Sequence, residues 1–280
     1  MHPYTYGLKI GAKELASGDY KHAIRHLLVP VPYWRLVEFR LVRDAGEFRG
    51  TDRILDIGSP KLLSIYLAKT LGAEVYATDI DEYFMREYTS LRTLEGLPPD
   101  RFHVQVEDGR KLSFSDGYFN KVFSVSVLEH IPDDGDAECA REMGRILAPG
   151  GRCLLTVPFS PASRTIYKKA SQIYWAKSGL GEDGDDKRER VFFQRRYSEH
   201  DLNERLIRPS GLRLKQLLFV GERMLSHSEK EFSEYIPFSA MVMVGLAHPV
   251  LSRLFHTSPA SSWQKLDKPL CALVVLEKPA

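Results

Sequence analysis

The stretch Ile54-Leu55-Asp56-Ile57-Gly58-Ser59-Pro60-Lys61 decides how this chain is read. Apolar residues run into an acid and a glycine, and then into residues that suit a helix start. The order predicts a buried strand at 53–57, a tight turn, and a helix over 60–71 that Gly72 ends. Gly58 lets the backbone turn and lets a ligand come close. Ser59 suits a helix N-cap and Pro60 the first helical position. A helix N-terminus at a strand end favours a negatively charged ligand group. The turn is not the G-x-G-x-x-G fingerprint of nicotinamide enzymes, and Pro60 removes an N–H that a pyrophosphate would use. A ligand with a small carboxylate and an ammonium group needs fewer such donors. Taken alone, the same turn reads equally well as an ordinary strand-to-helix connection.

Working outward, strands and helices alternate. Strands are expected at 74–78, 102–106, 120–126 and 152–157, with helices at 81–94 and 136–147 between them. Strands separated by helices of this length imply parallel pairing with right-handed crossovers. Two further strands are expected at 214–220 and 270–277. The stretches 158–211 and 226–265 break the rhythm and read as insertions. Upstream, apolar residues at helical spacing over 8–28 are split by Gly18 and stopped by Pro30 and Pro32, and a further helix is expected over 33–48. The organisation is therefore an N-terminal helical segment, 1–50, followed by one α/β domain, 51–280.

Composition fits a soluble globular protein with a real core. The 280 residues are 43% hydrophobic and 27% charged, and the formal net charge of +2 creates no global field for nucleic acid or an anionic membrane. Cys139, Cys153 and Cys271 form neither a zinc pattern nor a disulfide framework. The first residues open no apolar run of the signal-peptide kind, and the longest apolar stretch, 238–246, is too short to span a bilayer. A cytoplasmic setting is the expectation.

Three acids follow three successive strands. Asp56 ends the first. Asp79 ends the second, 21 residues beyond Gly58, the distance at which a carboxylate accepts both hydroxyls of a ribose. It also suits a helix N-cap, although Asp81 can fill that role. Asp108 follows the third strand in Glu107-Asp108-Gly109-Arg110, where it can accept from an exocyclic amine while Gly109 leaves room for a flat base. All three fall on the carboxyl edge of a parallel sheet, where open α/β folds bind ligands.

Asp56-x-Gly58, Asp79, Asp108, Phe119-Asn120-x-Val122, Val127-Leu128-Glu129-His130-Ile131 and Leu147-Ala148-Pro149-Gly150-Gly151 appear in this order. The series resembles the successive motifs of class I S-adenosylmethionine-dependent methyltransferases, in the small-molecule, type 11-like branch. It covers roughly 53–157. The resemblance implies a Rossmann-like, seven-stranded, mostly parallel sheet of order 3-2-1-4-5-7-6, with helices on both faces and an antiparallel strand near 270–277. It implies S-adenosyl-L-methionine as cofactor. Asp56, Gly58 and Ser59 would face its methionine part. Asp79 would hold the ribose, Ile80 would pack on the adenine, and Asp108 with Gly109 would read the adenine amine. Val125 and Ser126 would line the methyl-transfer centre. Pro60 and Leu62 replace the usual second and third glycines of the first motif, so the loop path departs from the family's. The fourth strand ends Ser124-Val125-Ser126, unlike enzymes that methylate nucleobase amines.

The expected partner is a small-molecule methyl acceptor, with no nucleic acid and no membrane, and the oligomeric state is left open. Such a cofactor is already an activated methyl donor, so the protein must align the acceptor and exclude water. A base is needed where the acceptor is a hydroxyl, and His130 is the candidate. Asp133, Asp134 and Asp136 read as a solvated loop and helix cap rather than a metal site. Aromatic residues outside the core, among them Tyr4, Tyr6, Phe159 and Phe193, pack a helical cap or line an acceptor pocket. A mobile lid is expected over 158–196 with the N-terminal segment, because Gly179, Gly181 and Gly184 punctuate a charged run. Two competing readings remain: a binding or scaffold protein on the same fold, and a nicotinamide oxidoreductase, which the missing glycine fingerprint disfavours.

Overall fold

A computed structural model describes residues 3–58, 61–169, 190–223 and 247–280. Its main strands are β1 (Arg53–Ile57), β2 (Glu74–Asp79), β3 (Phe102–Val106), β4 (Phe119–Val125) and β5 (Leu147–Pro158). They are followed by β6 (Arg164–Lys169), β7 (Arg190–Arg196), β8 (Arg213–Gly221) and β9 (Pro269–Glu277). The helices are α1 (Pro3–Ser17), α2 (Tyr20–Leu28), α3 (Tyr33–Gly46), α4 (Lys61–Leu71), α5 (Glu82–Glu95), α6 (Gly135–Ile146) and α7 (His248–Phe255). Seven strands form one sheet in the order β3-β2-β1-β4-β5-β9-β8. The pairs among β1–β5 are parallel, and β9 runs antiparallel to both β5 and β8. This is the expected order, with β8 and β9 as sixth and seventh strands.

Strands covered on both faces are apolar at consecutive positions, and β1 shows why. Ile54 packs into a core shared with α1, α3, α4 and α5, while Leu55 and Ile57 pack into the core on the opposite face, with Met143 and Ile146 of α6. The N-terminal segment is built into the first of these cores: Tyr4, Ile10, Leu36 and Phe39 sit in the same cluster as Ile54 and Leu63.

The insertions hold structure that the sequence pattern did not show. β6 and β7 pair antiparallel into a separate two-stranded sheet. A helical stretch follows over 199–210, opened by a reciprocal cap between Ser198 and Asp201 and carrying a π-helical turn at Leu202–Ile207. Asp136 ties this region to α6. It is fully buried, which corrects its reading as part of a solvated loop. Its carboxylate accepts from the Tyr197 hydroxyl at 2.8 Å and from Arg205 at 2.7 and 2.9 Å, the pairing a buried charge requires. Asp133 and Asp134 are exposed as expected. The glycine-punctuated charged run of the expected lid lies outside the described residues, as does most of the second insertion. Among the described residues no helix is long and apolar enough to cross a membrane.

Candidate functional site

Parallel register brings the strand ends together. Ile57 pairs with Thr78, Asp79 with Val106, and Asp56 with Phe123, so the turns after β1, β2, β3 and β4 share one edge. The chain order reverses between β1 and β4, which leaves a crevice there.

Gly58 sits at the mouth of that crevice with φ +61°, in the left-handed region. Its N–H donates to the Thr78 carbonyl at 2.8 Å, and a Cβ there would lie 2.8 Å from Cγ1 of Val127. Both backbone angle and space demand glycine. Asp56 lies beneath the turn, fully buried, accepting from the Ser64 hydroxyl of α4 and from the Tyr88 hydroxyl of α5 at 3.0 Å. It fixes the two helices against β1. Ser59 lies outside the described residues.

Asp79 accepts from the Asp81 amide at 3.0 Å, so its side chain already braces the turn into α5. Ile80 beside it is 49% exposed, an apolar surface at the crevice. Asp108 is gripped by Arg110 through two nitrogens, at 2.8 and 3.0 Å, and that guanidinium holds its carboxyl below the usual range. Gly109 packs closely, since a Cβ there would lie 3.0 Å from Cys139 Sγ.

The exit of β4 gathers several buried polar groups. Ser126 adopts φ +51°, uncommon for a residue with a side chain, and its amide donates to the Thr156 carbonyl at 2.9 Å. Its hydroxyl donates to Glu38 of α3, which also accepts from Thr156 Oγ1 at 2.9 Å and from Arg35 at 2.6 Å. Arg35 reaches the Val125 carbonyl at 3.3 Å. Glu129 follows in a short 3-10 turn, 1% exposed, and burial, reinforced by nearby Glu38, raises its pKa to about 8. His130 Nδ1 lies 2.7 Å from the Phe193 carbonyl of β7. A carbonyl only accepts, so Nδ1 carries the proton and Nε2 the lone pair. Burial lowers the imidazole pKa to about 4, so the ring is neutral at physiological pH.

The structure thus gathers Gly58, Asp79, Ile80, Asp108, Gly109, Val125, Ser126 and His130 along one edge, with Asp56 below it. Arg35, Glu38 and Glu129 were missed in the sequence. Glu38 had a signal: an acid in helical register with Leu41 and Val42 on an apolar face. A groove of about 310 Å³ lined by Asp44, Glu47, Arg152 and Lys215 lies at the opposite edge of the sheet and brings none of these groups together.

Comparison with known proteins agrees with this geometry. Residues 55–155 match the family described as a methyltransferase domain. Tocopherol O-methyltransferase of Arabidopsis thaliana is 30% identical over 120 residues, 42% of this chain and 34% of that protein. The ubiquinone/menaquinone biosynthesis C-methyltransferase UbiE of Neisseria meningitidis serogroup C is 35% identical over 126 residues, 44% of this chain and 47% of that protein. The matched stretch therefore spans half or less of these curated relatives. Phosphoethanolamine N-methyltransferase 2 of Haemonchus contortus, solved with S-adenosyl-L-methionine, shares the fold at a TM-score of 0.54 and 15% identity, over 92% of this chain and 55% of that one. Residues 55–155 thus match a methyltransferase domain, and the fold is one shared with S-adenosylmethionine-dependent methyltransferases. Within that class, residues 55–155 are similar to the type 11-like branch.

Proposed function

We propose that this chain transfers a methyl group from S-adenosyl-L-methionine, by in-line displacement, to a small phenolic acceptor of the hydroquinone kind. The supporting observation is the crevice between β1 and β4, where Gly58, Asp79, Asp108 and Ser126 close on one edge. The acceptor class rests on relatives whose names specify tocopherol and ubiquinone or menaquinone chemistry.

The residues fit the cofactor. Gly58 presents bare backbone to its methionine part, with Ser59 next to it in sequence, and Asp56 acts from beneath by holding α4 and α5 in place. The Asp79 carboxylate takes the ribose hydroxyls, Ile80 offers its exposed face to the adenine, and Asp108 with Gly109 takes the adenine amine. When bound, the cofactor supplies an activated methyl group on a sulfonium. The protein contributes alignment of the acceptor at Val125 and Ser126 and exclusion of water.

A phenolic acceptor must lose a proton. His130 at a pKa of about 4 could take one from a phenol of pKa about 10 only at a cost of about 8 kcal/mol. In this reading His130 is a positioning residue that joins the β4 exit to β7 through the Phe193 carbonyl. The test is transfer of radiolabel from methyl-tritiated S-adenosylmethionine to a panel of 1,4-hydroquinones with short prenyl tails, run beside simple amines. Label in the hydroquinones is expected. Label in the amines alone, or in neither, contradicts the acceptor class.

A further inference from the structure

Glu129 is a buried carboxyl that the cofactor does not use. It lies where β4 ends, directly after the Val125–Ser126 exit, and its side chain is 1% exposed. Its Oε2 has no hydrogen-bond partner among the described residues. A carboxyl oxygen left in this state carries a desolvation penalty that a ligand's donor can relieve.

The surroundings explain why the protein holds it so. From α3, Glu38 faces it, itself satisfied by Arg35, Ser126 and Thr156. The Ser126 hydroxyl faces it from the end of β4, and His130 Nε2 is 3.8 Å from Oε1. Tyr197 after β7 and Cys271 of β9 also feel its charge. Arg35 is bound to Glu38 at 2.6 Å, and among the described residues no lysine or arginine forms an ion pair with Glu129. Its proton is held by burial and by Glu38, and released at about pH 8, near the range in which an acidic phenol exchanges protons.

We propose that Glu129 binds the acceptor's phenolic hydroxyl through Oε2 and takes up its proton during methyl transfer. The inference rests on the phenolic-acceptor reading above. The phenolic O–H bond gives its proton to the Glu129 carboxylate. Its electron pair forms the bond from oxygen to the methyl carbon, and the methyl–sulfur bond breaks with its pair left on sulfur. The proton returns to solvent after product leaves.

The test uses a 1,4-hydroquinone with a short prenyl tail as acceptor, and compares the full chain with Glu129→Gln and Glu129→Asp between pH 5.5 and 9.5. In the wild type, kcat/KM should rise about ten-fold per pH unit and level off near pH 8. Glu129→Gln should lower kcat/KM at pH 8 at least about 100-fold and abolish that step, and Glu129→Asp should restore part of the rate together with the step. Calorimetry supplies a second readout. The S-adenosylhomocysteine complex of Glu129→Leu should bind the hydroquinone about ten-fold more weakly than that of the wild type, and S-adenosylhomocysteine itself equally well. The proposal is overturned if the pH step survives in Glu129→Gln, or if the wild-type step centres below pH 6. It is also overturned if S-adenosylhomocysteine binds but no phenol is methylated, an outcome that leaves the cofactor reading standing. Failure of the wild type to bind S-adenosylhomocysteine defeats both.

Discussion

Replacing Gly58 with alanine should destabilise the fold through two separable causes, and Val127 allows them to be pulled apart. The first cause is the backbone. At φ +61°, an alanine pays roughly 1–2 kcal/mol of left-handed strain. The second is contact. The new methyl would lie 2.8 Å from Val127 Cγ1 and 3.4 Å from Cγ2, an overpacking of the kind that costs about 1–3 kcal/mol. The turn cannot slide away easily, because the Gly58 amide is bonded to the Thr78 carbonyl at 2.8 Å. The sum is about 2–5 kcal/mol. Val127→Ala removes both close atoms and leaves only Cβ, at 3.7 Å. The double variant should therefore keep the strain and lose the clash. It should be about 1–3 kcal/mol more stable than the two single effects add up to. Urea denaturation followed by circular dichroism measures all four proteins. Additivity within about 0.5 kcal/mol, or a Gly58→Ala cost below about 1 kcal/mol, would refute the packing of the β1 turn against the β4 exit.

Two further expectations concern the acids. Asp79→Ala should weaken S-adenosylmethionine binding by about 1.5–3 kcal/mol, on the order of ten- to a hundred-fold in Kd, and unchanged affinity in a folded variant removes Asp79 from the site. Glu129 should also mark the pH dependence of stability. Its carboxyl pKa is raised from 4.5 to about 8 on folding, so the native state keeps a proton that the unfolded chain has lost. The stability of the wild type relative to Glu129→Gln is fully retained below pH 4.5 and falls as pH rises to 8. The gap grows to roughly 4 kcal/mol in favour of the glutamine variant. Denaturant melts at pH 4.5, 6 and 8 check this, and a constant gap contradicts the buried, unpaired carboxyl.

What could be read in the sequence follows from the range of the interactions involved. β1, β2, β4 and β5 were legible because a parallel strand covered on both faces is apolar at successive positions, β3 because Phe102–Val106 alternates apolar and polar, and Gly72 and Gly96 punctuate the helices between them. Asp79 and Asp108 were legible because both directly follow strands, and parallel pairing sends every strand end to the same edge. The order of the last two strands came from family resemblance, since nothing local to 214–220 or 270–277 says which of them lies beside β5. β6 was missed because Arg164, Thr165, Tyr167 and Lys169 are exposed and show no apolar face. Asp136 looked solvated beside Asp133 and Asp134 until the fold brought Arg205 and Tyr197 to it. Glu38 and Ser126 are 88 residues apart, so no window of sequence shows that α3 reaches the exit of β4.

The central claim is that the crevice between β1 and β4 is built for S-adenosylmethionine, and titration calorimetry tests it most directly. The wild-type chain should bind S-adenosylmethionine one to one, with a Kd on the order of 1–100 μM, and show no heat with a nicotinamide dinucleotide under the same conditions. No binding of S-adenosylmethionine, or binding of the dinucleotide in its place, contradicts the account.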